Sequence, residues 1–220
     1  MLPERLIAGY RAFLDERLPR ERARFEAQAE RQTPEIMVVG CCDSRVSPEV
    51  IFDASPGELF VVRNVANLVP PYETGGEYHG TSAALEFAVQ ALRVKHIVIL
   101  GHARCGGIQA FADDIEPLSP GDFIGKWIGL IGPAAQRLGS DLGDRQDYLK
   151  RLELASIEQG LRNLMTFPCI RILVERRKLA LHGAYFGVAT GELLVRDPDT
   201  GAFAPAVADK PGVRSPIRCW

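Results

Sequence analysis

The sequence predicts an α/β fold: a mostly parallel central sheet of about four strands plus an antiparallel edge strand, flanked by helices. Three observations support this prediction. Short apolar runs rich in β-branched residues alternate with segments of helical periodicity. Two of these runs break at a glycine that is followed by residue types that bind metals. A Thr190-Gly191 turn joins the last two predicted strands as a hairpin.

The composition is that of an ordinary globular protein, and we expect one domain over residues 1–220. The chain is 46% hydrophobic, which is enough to form a core. Its net charge of -2 gives no excess of basic residues that would indicate binding to nucleic acid or to an anionic membrane. It contains no run of 18 apolar residues, and its N-terminus lacks the pattern of a signal peptide. Five cysteines without regular spacing fit a reducing compartment. We therefore expect a cytoplasmic protein.

Residues 1–31 are predicted to form a helical N-terminal arm. Leu6, Tyr10 and Leu14 share one helical face, Pro19 interrupts the pattern, and the residues after it are heavily charged. Two interpretations remain open. The arm either buries its apolar face on a partner subunit or packs as an amphipathic helix on its own domain.

The next elements follow the order strand, short helix from Pro48, strand, helix, strand. Residues 36–39 form a short apolar run that breaks at a glycine, and residues 57–67 contain a second run followed by a polar loop. Residues 81–93 have helical spacing and lead directly into the strand that begins at Val94. A strand, a helix and a strand in this order predict a right-handed parallel crossover.

The C-terminal half is predicted to contain helices followed by a hairpin. Two apolar stripes have helical spacing, and we interpret both as core or subunit contacts rather than as a cofactor site: Phe123, Trp127 and Ile131, then Leu154, Ile157, Leu161 and Leu164. Residues 178–188 and 192–196 are predicted to be antiparallel strands. Residues 197–220 contain four prolines and little pattern, so we expect an irregular tail.

Potential metal ligands follow two of the predicted strands. Cys41 comes directly after Gly40, and His102 and Cys105 follow Gly101. If the two strands are neighbours, two thiolates and one imidazole meet at one sheet edge, which is a three-ligand zinc set. Structural zinc sites use four protein ligands, so three ligands indicate a catalytic zinc with a position open to water. The alternative is a pair of buried core cysteines beside a satisfied histidine.

Asp43 and Arg45 lie close after Cys41 in the chain. As a solvated surface ion pair they would contribute little to stability. Beside a metal ion, a guanidinium that grips the carboxylate in a bidentate manner would hold it away from the metal, as an acceptor for a proton.

Taken together, two motifs resemble the β-class carbonic anhydrases: Cys41-x-Asp43-Ser44-Arg45 and Gly101-His102-x-x-Cys105-Gly106-Gly107. The resemblance extends through residues 60–67 and through His182-Gly183, and it covers roughly residues 30–197. It implies that the reaction is the reversible hydration of CO₂ to bicarbonate and a proton, with one Zn²⁺ per chain. It also implies the zinc ligands and the catalytic dyad: Cys41, His102 and Cys105 as ligands, and Asp43 and Arg45 as the dyad.

The same resemblance implies a substrate pocket and an oligomer. The residues expected to contact substrate are Gln32, Phe60, Val65, Phe87 and Gly106. Some of them are expected to come from a neighbouring subunit, so a homodimer is the expected minimal unit, and larger homo-oligomers can be built from it. Without the resemblance, Gln32 would be interpreted as a surface residue and the apolar residues as core.

Two other functions remain open from the sequence. A hydrolase of carbonyl sulfide or carbon disulfide would use the same metal set. A zinc-binding or redox-sensing protein without turnover is suggested by the adjacent Cys41 and Cys42, although storage of a metal needs no dyad of Asp43 and Arg45. We expect Cys41 to be the ligand, because successive residues that leave a strand point to opposite sides.

Overall fold

The computed structural model describes residues 2–75, 79–113, 123–139 and 143–207. Its centre is a six-stranded sheet in the order β2-β1-β3-β4-β5-β6. The strands have these bounds: β1 Ile36–Cys41, β2 Leu59–Asn64, β3 His96–His102, β4 Ala180–Phe186, β5 Leu193–Arg196 and β6 Phe203–Pro205. The first four strands are parallel to one another, and β5 and β6 each pair antiparallel with the strand before them. The predicted fold class is confirmed.

Helices flank this sheet. In the described residues their bounds are α1 Glu4–Ala12, α2 Leu18–Gln28, α3 Pro48–Ile51, α4 Gly80–Glu86, α5 Gly106–Ala112, α6 Ile124–Ile128, α7 Gly132–Leu138, α8 Arg145–Leu164 and α9 Pro168–Glu175. Wider π-helical turns join α1 to α2 at Phe13–Arg17 and extend α4 at Phe87–Leu92. Across the described ranges, no helix is both long enough and apolar enough to cross a bilayer.

Strand β1 lies between β2 and β3, and its register brings the predicted ligands to one edge of the sheet. Gly40 of β1 pairs with Leu100 of β3, while Cys41 pairs with Asn64 of β2. Because β1 and β3 are parallel, their carboxyl ends lie at the same edge. Cys41 and His102 therefore leave the sheet side by side, as the sequence predicted.

The long helix α8 packs closely on β3 and β4 because glycines make room for it. A Cβ atom on Gly101 would lie 2.7 Å from Cδ1 of Ile157, and one on Gly183 would lie 2.9 Å from its Cγ2. In the opposite direction, a Cβ atom on Gly160 of α8 would lie 2.7 Å from Cδ1 of Ile99. The predicted stripe is part of this core, fully or partly buried: Leu154, Ile157, Leu161 and Leu164.

The N-terminal arm is helical from α1 through α2, and it continues through Pro19 rather than being interrupted there. Pro19 lies in the first turn of α2, directly after the π-helical turn at Phe13–Arg17. A proline inside a helix lacks an N–H and its ring clashes with the carbonyl four residues earlier. The wider turn accommodates both effects. None of the arm residues from Leu2 onward, where the described part of the chain begins, is buried.

The tail contains a strand that the sequence did not predict. Residues Phe203–Pro205 form β6, which pairs with β5 through Val195 and Ala204. The expectation of an irregular tail from 197 is therefore wrong for this segment. A three-residue edge strand with a proline has too little alternation to be recognised. The remaining tail residues, 208–220, lie outside the described residues.

Candidate metal centre and active site

Three potential metal ligands meet at the carboxyl edge of the sheet. Cys41 ends β1, His102 ends β3, and Cys105 immediately precedes α5. One ligand atom from each lies within 4.8 Å of the others. All three residues are buried, with 5%, 1% and 2% of their surface exposed. The residues that the structure describes contain no other group of three or more such side chains.

The donor set fits zinc. Nδ1 of His102 donates a hydrogen bond to the carbonyl of Ala103 at 3.0 Å, since a carbonyl can only accept. The other ring nitrogen, Nε2, is buried and has no hydrogen-bond partner. A buried nitrogen without a partner is costly unless it has a ligand, and this tautomer leaves its lone pair free to bind one. Two thiolates and a neutral imidazole form a known zinc donor set.

The protonation of these three groups is coupled. The hydrogen bond between the two thiols lowers the pKa of Cys41 and raises the pKa of Cys105. Burial opposes the charged form of His102, but the attraction of the adjacent Cys41 thiolate outweighs burial and raises the pKa of His102. The centre without metal thus retains protons that a cation must displace. Zinc uptake is therefore expected to release protons and to weaken as the pH falls.

Asp43 and Arg45 form a bidentate pair beside the ligands. Nε of Arg45 donates to Oδ1 of Asp43 at 2.9 Å, and Nη2 donates to Oδ2 at 2.7 Å. The backbone N–H of Arg45 also donates to Oδ1, at 3.0 Å. Hydrogen bonds from Arg45 lower the pKa of Asp43, so its carboxylate stays ionised. With its side chain only 17% exposed, Asp43 is not a freely solvated surface charge.

The backbone around this pair is held by two arginines. Nη2 of Arg45 donates to the carbonyl of Arg104 at 3.2 Å, which ties the pair to the turn before Cys105. Arg63 on β2 donates from Nε to the carbonyl of Cys41 at 2.8 Å and from Nη2 to the carbonyl of Asp43 at 2.7 Å. The chain between Cys41 and Asp43 therefore has a fixed path.

Sequence reasoning missed two residues beside this centre, of which one contacts a candidate ligand directly. Glu153 of α8 accepts a hydrogen bond from the backbone N–H of Cys105 at 3.0 Å and another from the hydroxyl of Tyr185 at 2.7 Å. Burial raises the pKa of Glu153, and both hydrogen bonds act against this rise. The available signal was helical spacing: Glu153 lies four residues before Ile157 and so shares its buried face.

Two of the expected substrate contacts, Val65 and Gly106, lie near the turn that carries Cys105. Gly106 is the first residue of α5. Cγ1 of Val65 lies 3.0 Å from the position that a Cβ atom on Gly107 would take, so Val65 packs against the same helix start. Val65 is 37% exposed. These two residues therefore border the metal ligands within one chain.

The other expected substrate contacts lie further from the metal ligands of their own chain. The rings of Phe60 and Phe87 pack with their centroids 5.9 Å apart. Phe60 pairs with Met37, four residues before Cys41, which corresponds to about 13 Å along the strand. Gln32 is exposed in the segment before β1. Within one protomer, the structure does not bring these three residues to the metal ligands.

Comparison with known proteins assigns the family. The sequence model of the family described as Carbonic anhydrase matches residues 36–193. Beta carbonic anhydrase 3 of Arabidopsis thaliana is 35% identical over 209 residues, which cover 91% of this chain and 80% of the relative. The solved β-carbonic anhydrase CcaA superposes with a TM-score of 0.85 at 29% identity and covers 93% of this chain and 92% of its own.

A further structure, one of two tetrameric β-carbonic anhydrases from Sordaria macrospora, is 31% identical with a TM-score of 0.69, over 91% of this chain and 94% of its own. The family match includes both strand ends and the cluster of Cys41, His102 and Cys105. The chain therefore belongs to the β-class carbonic anhydrases.

Proposed function

We propose that the protein catalyses the reversible hydration of CO₂ to bicarbonate and a proton, with one zinc ion per chain. The observation that carries this proposal is the position of the buried Cys41–His102–Cys105 cluster beside an ionised carboxylate that an arginine grips. Cys41, His102 and Cys105 would hold the ion. The chemistry that zinc supplies when bound is the activation of water as a nucleophile near neutral pH.

Asp43 is proposed to act as a proton acceptor at the site, and Arg45 to hold it in place. Arg45 donates one side-chain hydrogen bond to each carboxylate oxygen of Asp43, and this pairing keeps the carboxylate ionised. A carboxylate held in this way retains free lone pairs that can accept a hydrogen bond. It also stays away from the metal ligands, so the centre keeps three protein ligands, the number that is typical of catalytic zinc.

The substrate pocket is proposed to form between two subunits. Val65 and Gly106 would contribute from the chain that holds the zinc, while Gln32, Phe60 and Phe87 would contribute from its partner. Two observations support this division: Phe87 is 49% exposed in the single chain, and Phe60 lies about 13 Å along the sheet from the level of Cys41. An apolar pocket suits CO₂, which is uncharged and needs little hydrogen bonding.

A homodimer is proposed as the minimal unit, with the arm of one protomer packed on the other. The arm exposes an apolar stripe: Leu2 at 63%, Leu6 at 56%, Tyr10 at 58% and Leu14 at 38%. The sheet face opposite α8 carries apolar side chains that are only partly buried: Ile36, Val61, Val98 and Leu193. Two apolar surfaces of this kind are normally covered in a stable protein.

A cytoplasmic location is also proposed. The four cysteines in the described residues are all unpaired: Cys41, Cys42, Cys105 and Cys169. Free thiols in a protein with this many cysteines fit a reducing compartment. The fifth cysteine, Cys219, lies outside the described residues.

Stopped-flow measurement of CO₂ hydration tests the proposed function directly. Protein that carries one zinc per chain should accelerate the reaction well beyond the buffer rate. A rate equal to that of buffer would refute the proposal. Release of sulfide from carbonyl sulfide without CO₂ hydration would instead identify the hydrolase of related molecules.

Arg45→Ala should lower kcat by at least about 10²-fold while the protein keeps its zinc. The reason is that Asp43 loses both side-chain hydrogen bonds and becomes free to bind the metal as a fourth ligand. Arg151→Ala removes the surface pair with Asp147 and the contact of Arg151 with the Tyr148 ring, but no contact of the metal ligands or the dyad. It serves as the control and should keep full activity. Metal analysis together with kinetics gives the result, and loss of zinc from the Arg45 variant would contradict the assigned role.

Cys41→Ser should lose both zinc and activity, whereas Cys42→Ser should keep both. Cys41 is buried within the metal cluster, while Cys42 is exposed and outside it. The two neighbouring substitutions make the same chemical change and control for each other. Zinc content per chain, measured after gel filtration, would reveal the reverse pattern if Cys42 were the ligand.

Replacing Leu6 and Tyr10 together by glutamate should convert the oligomer to monomers, because charged groups cannot be buried in an apolar interface without a partner. Arg11→Glu changes the net charge by the same amount on the same arm and should leave the oligomer intact. Light scattering coupled to gel filtration measures the mass of each variant. A wild-type monomer, or an unaltered oligomer in the double variant, would disprove this arrangement.

A further inference from the structure

One peptide unit connects the candidate metal ligands to the dyad. Its carbonyl, from Arg104, accepts a hydrogen bond from Nη2 of Arg45 at 3.2 Å. Its N–H, from Cys105, donates to Oε1 of Glu153 at 3.0 Å. Both polar groups of this peptide are therefore hydrogen-bonded: the carbonyl to Arg45, which also binds Asp43, and the N–H to the carboxylate of Glu153 on α8.

The turn that contains this peptide is strained and needs support. Arg104 has a φ of 56°, in the left-handed region that side-chain-bearing residues rarely adopt. The same turn supplies the carbonyl of Ala103 that sets the tautomer of His102. A change in its path would therefore affect His102, Cys105 and the carbonyl that binds Arg45.

Glu153 is an ionisable side chain in a buried position, which is unusual in a protein. It is 6% exposed, and among the described residues it is the one acidic side chain classed as buried. A buried carboxylate is costly unless each oxygen is hydrogen-bonded. One oxygen accepts from Cys105, and the other accepts from the hydroxyl of Tyr185 at 2.7 Å. Tyr185 is itself 4% exposed and lies on β4 opposite Gly101 of β3.

We propose that Glu153, anchored by Tyr185, is a positioning residue that fixes the Arg104–Cys105 peptide and thereby orients both the Cys105 thiolate and the Arg45–Asp43 pair. The inference rests on the proposed zinc function. Both oxygens of Glu153 are occupied by protein donors, so it acts through the peptide and not on substrate. Its loss would free the N–H of Cys105 and let the strained turn relax.

The surroundings of Glu153 decide which substitutions are informative. A cavity of about 660 Å³ lies behind the turn, and Cys105, Glu153 and Tyr185 are among its lining residues. A smaller side chain such as alanine would admit water that could replace the lost acceptor. Leucine keeps most of the volume and removes the acceptor. Glutamine keeps both the volume and an oxygen that can accept from Cys105.

The test measures zinc affinity by competition with a chelator, and the absorption of the cobalt-substituted protein. Glu153→Leu should weaken zinc binding by about 10- to 100-fold and alter the thiolate-to-cobalt charge-transfer bands. Glu153→Gln should restore most of the affinity and the bands. Glu158→Gln is the matched control on the same helix, paired with Arg196, and should behave as wild type.

Wild-type affinity and an unchanged cobalt spectrum in Glu153→Leu would overturn the inference. An equal loss in the leucine and glutamine variants would also overturn it, because charge rather than the placed acceptor would then be responsible. If the leucine variant does not fold, the same measurements are made on Glu153→Asp. Its shorter side chain withdraws the acceptor and should weaken zinc binding several-fold, and unchanged affinity would refute the role.

These measurements use no CO₂, so their result does not depend on turnover. A failure in the affinity series would leave the proposed catalytic function intact. An inactive wild-type enzyme would refute that function and leave the metal-binding result interpretable.

Discussion

The parallel pairing of β1 with β3 is the constraint on which the site depends. It places Cys41 and His102 at the same sheet edge, although they are far apart in sequence. Residues between the strands must then form a crossover, and the helix of that crossover covers one face. The close packing of Ile157 against Gly101 and Gly183 fixes this sheet against α8. Without that packing, the sheet edge would have no fixed position relative to α8.

Hydrogen bonds then convert neighbouring strand ends into one rigid centre. Arg63 holds the carbonyls of Cys41 and Asp43 from β2, and Arg45 joins Asp43 to the turn before Cys105. Each bond to an ionised group is stronger than a neutral one and has a narrow range of geometry. The centre therefore depends on charge pairing as much as on the strands that carry it. These hydrogen bonds fix the distance and orientation of the Asp43 carboxylate relative to the candidate metal ligands.

The sequence predicted the parts of this structure that local pattern determines. Apolar runs that break at glycine located the ends of β1 and β3, and residue types alone indicated a metal cluster at those ends. It could not reveal the partners of Glu153, because the contact with Cys105 joins residues that lie 48 positions apart in the chain. The prediction that Pro19 interrupts the arm follows from the general rule that proline breaks a helix. In the structure the π-helical turn before α2 accommodates the proline, so the helix continues. The short β6 depends on pairing with β5 and has little pattern of its own.

The surfaces that remain exposed in one protomer bear on both stability and catalysis. Phe87 and the apolar stripe of the arm are exposed where a folded chain would normally bury them, and Phe87 is also an expected pocket residue. If one interface covers both, the energy of association and the completion of the pocket come from the same contacts. Dilution would then reduce stability and activity together, since mass action governs both. The metal cluster lies within one chain and needs no partner, so zinc binding should persist in the monomer while substrate binding does not.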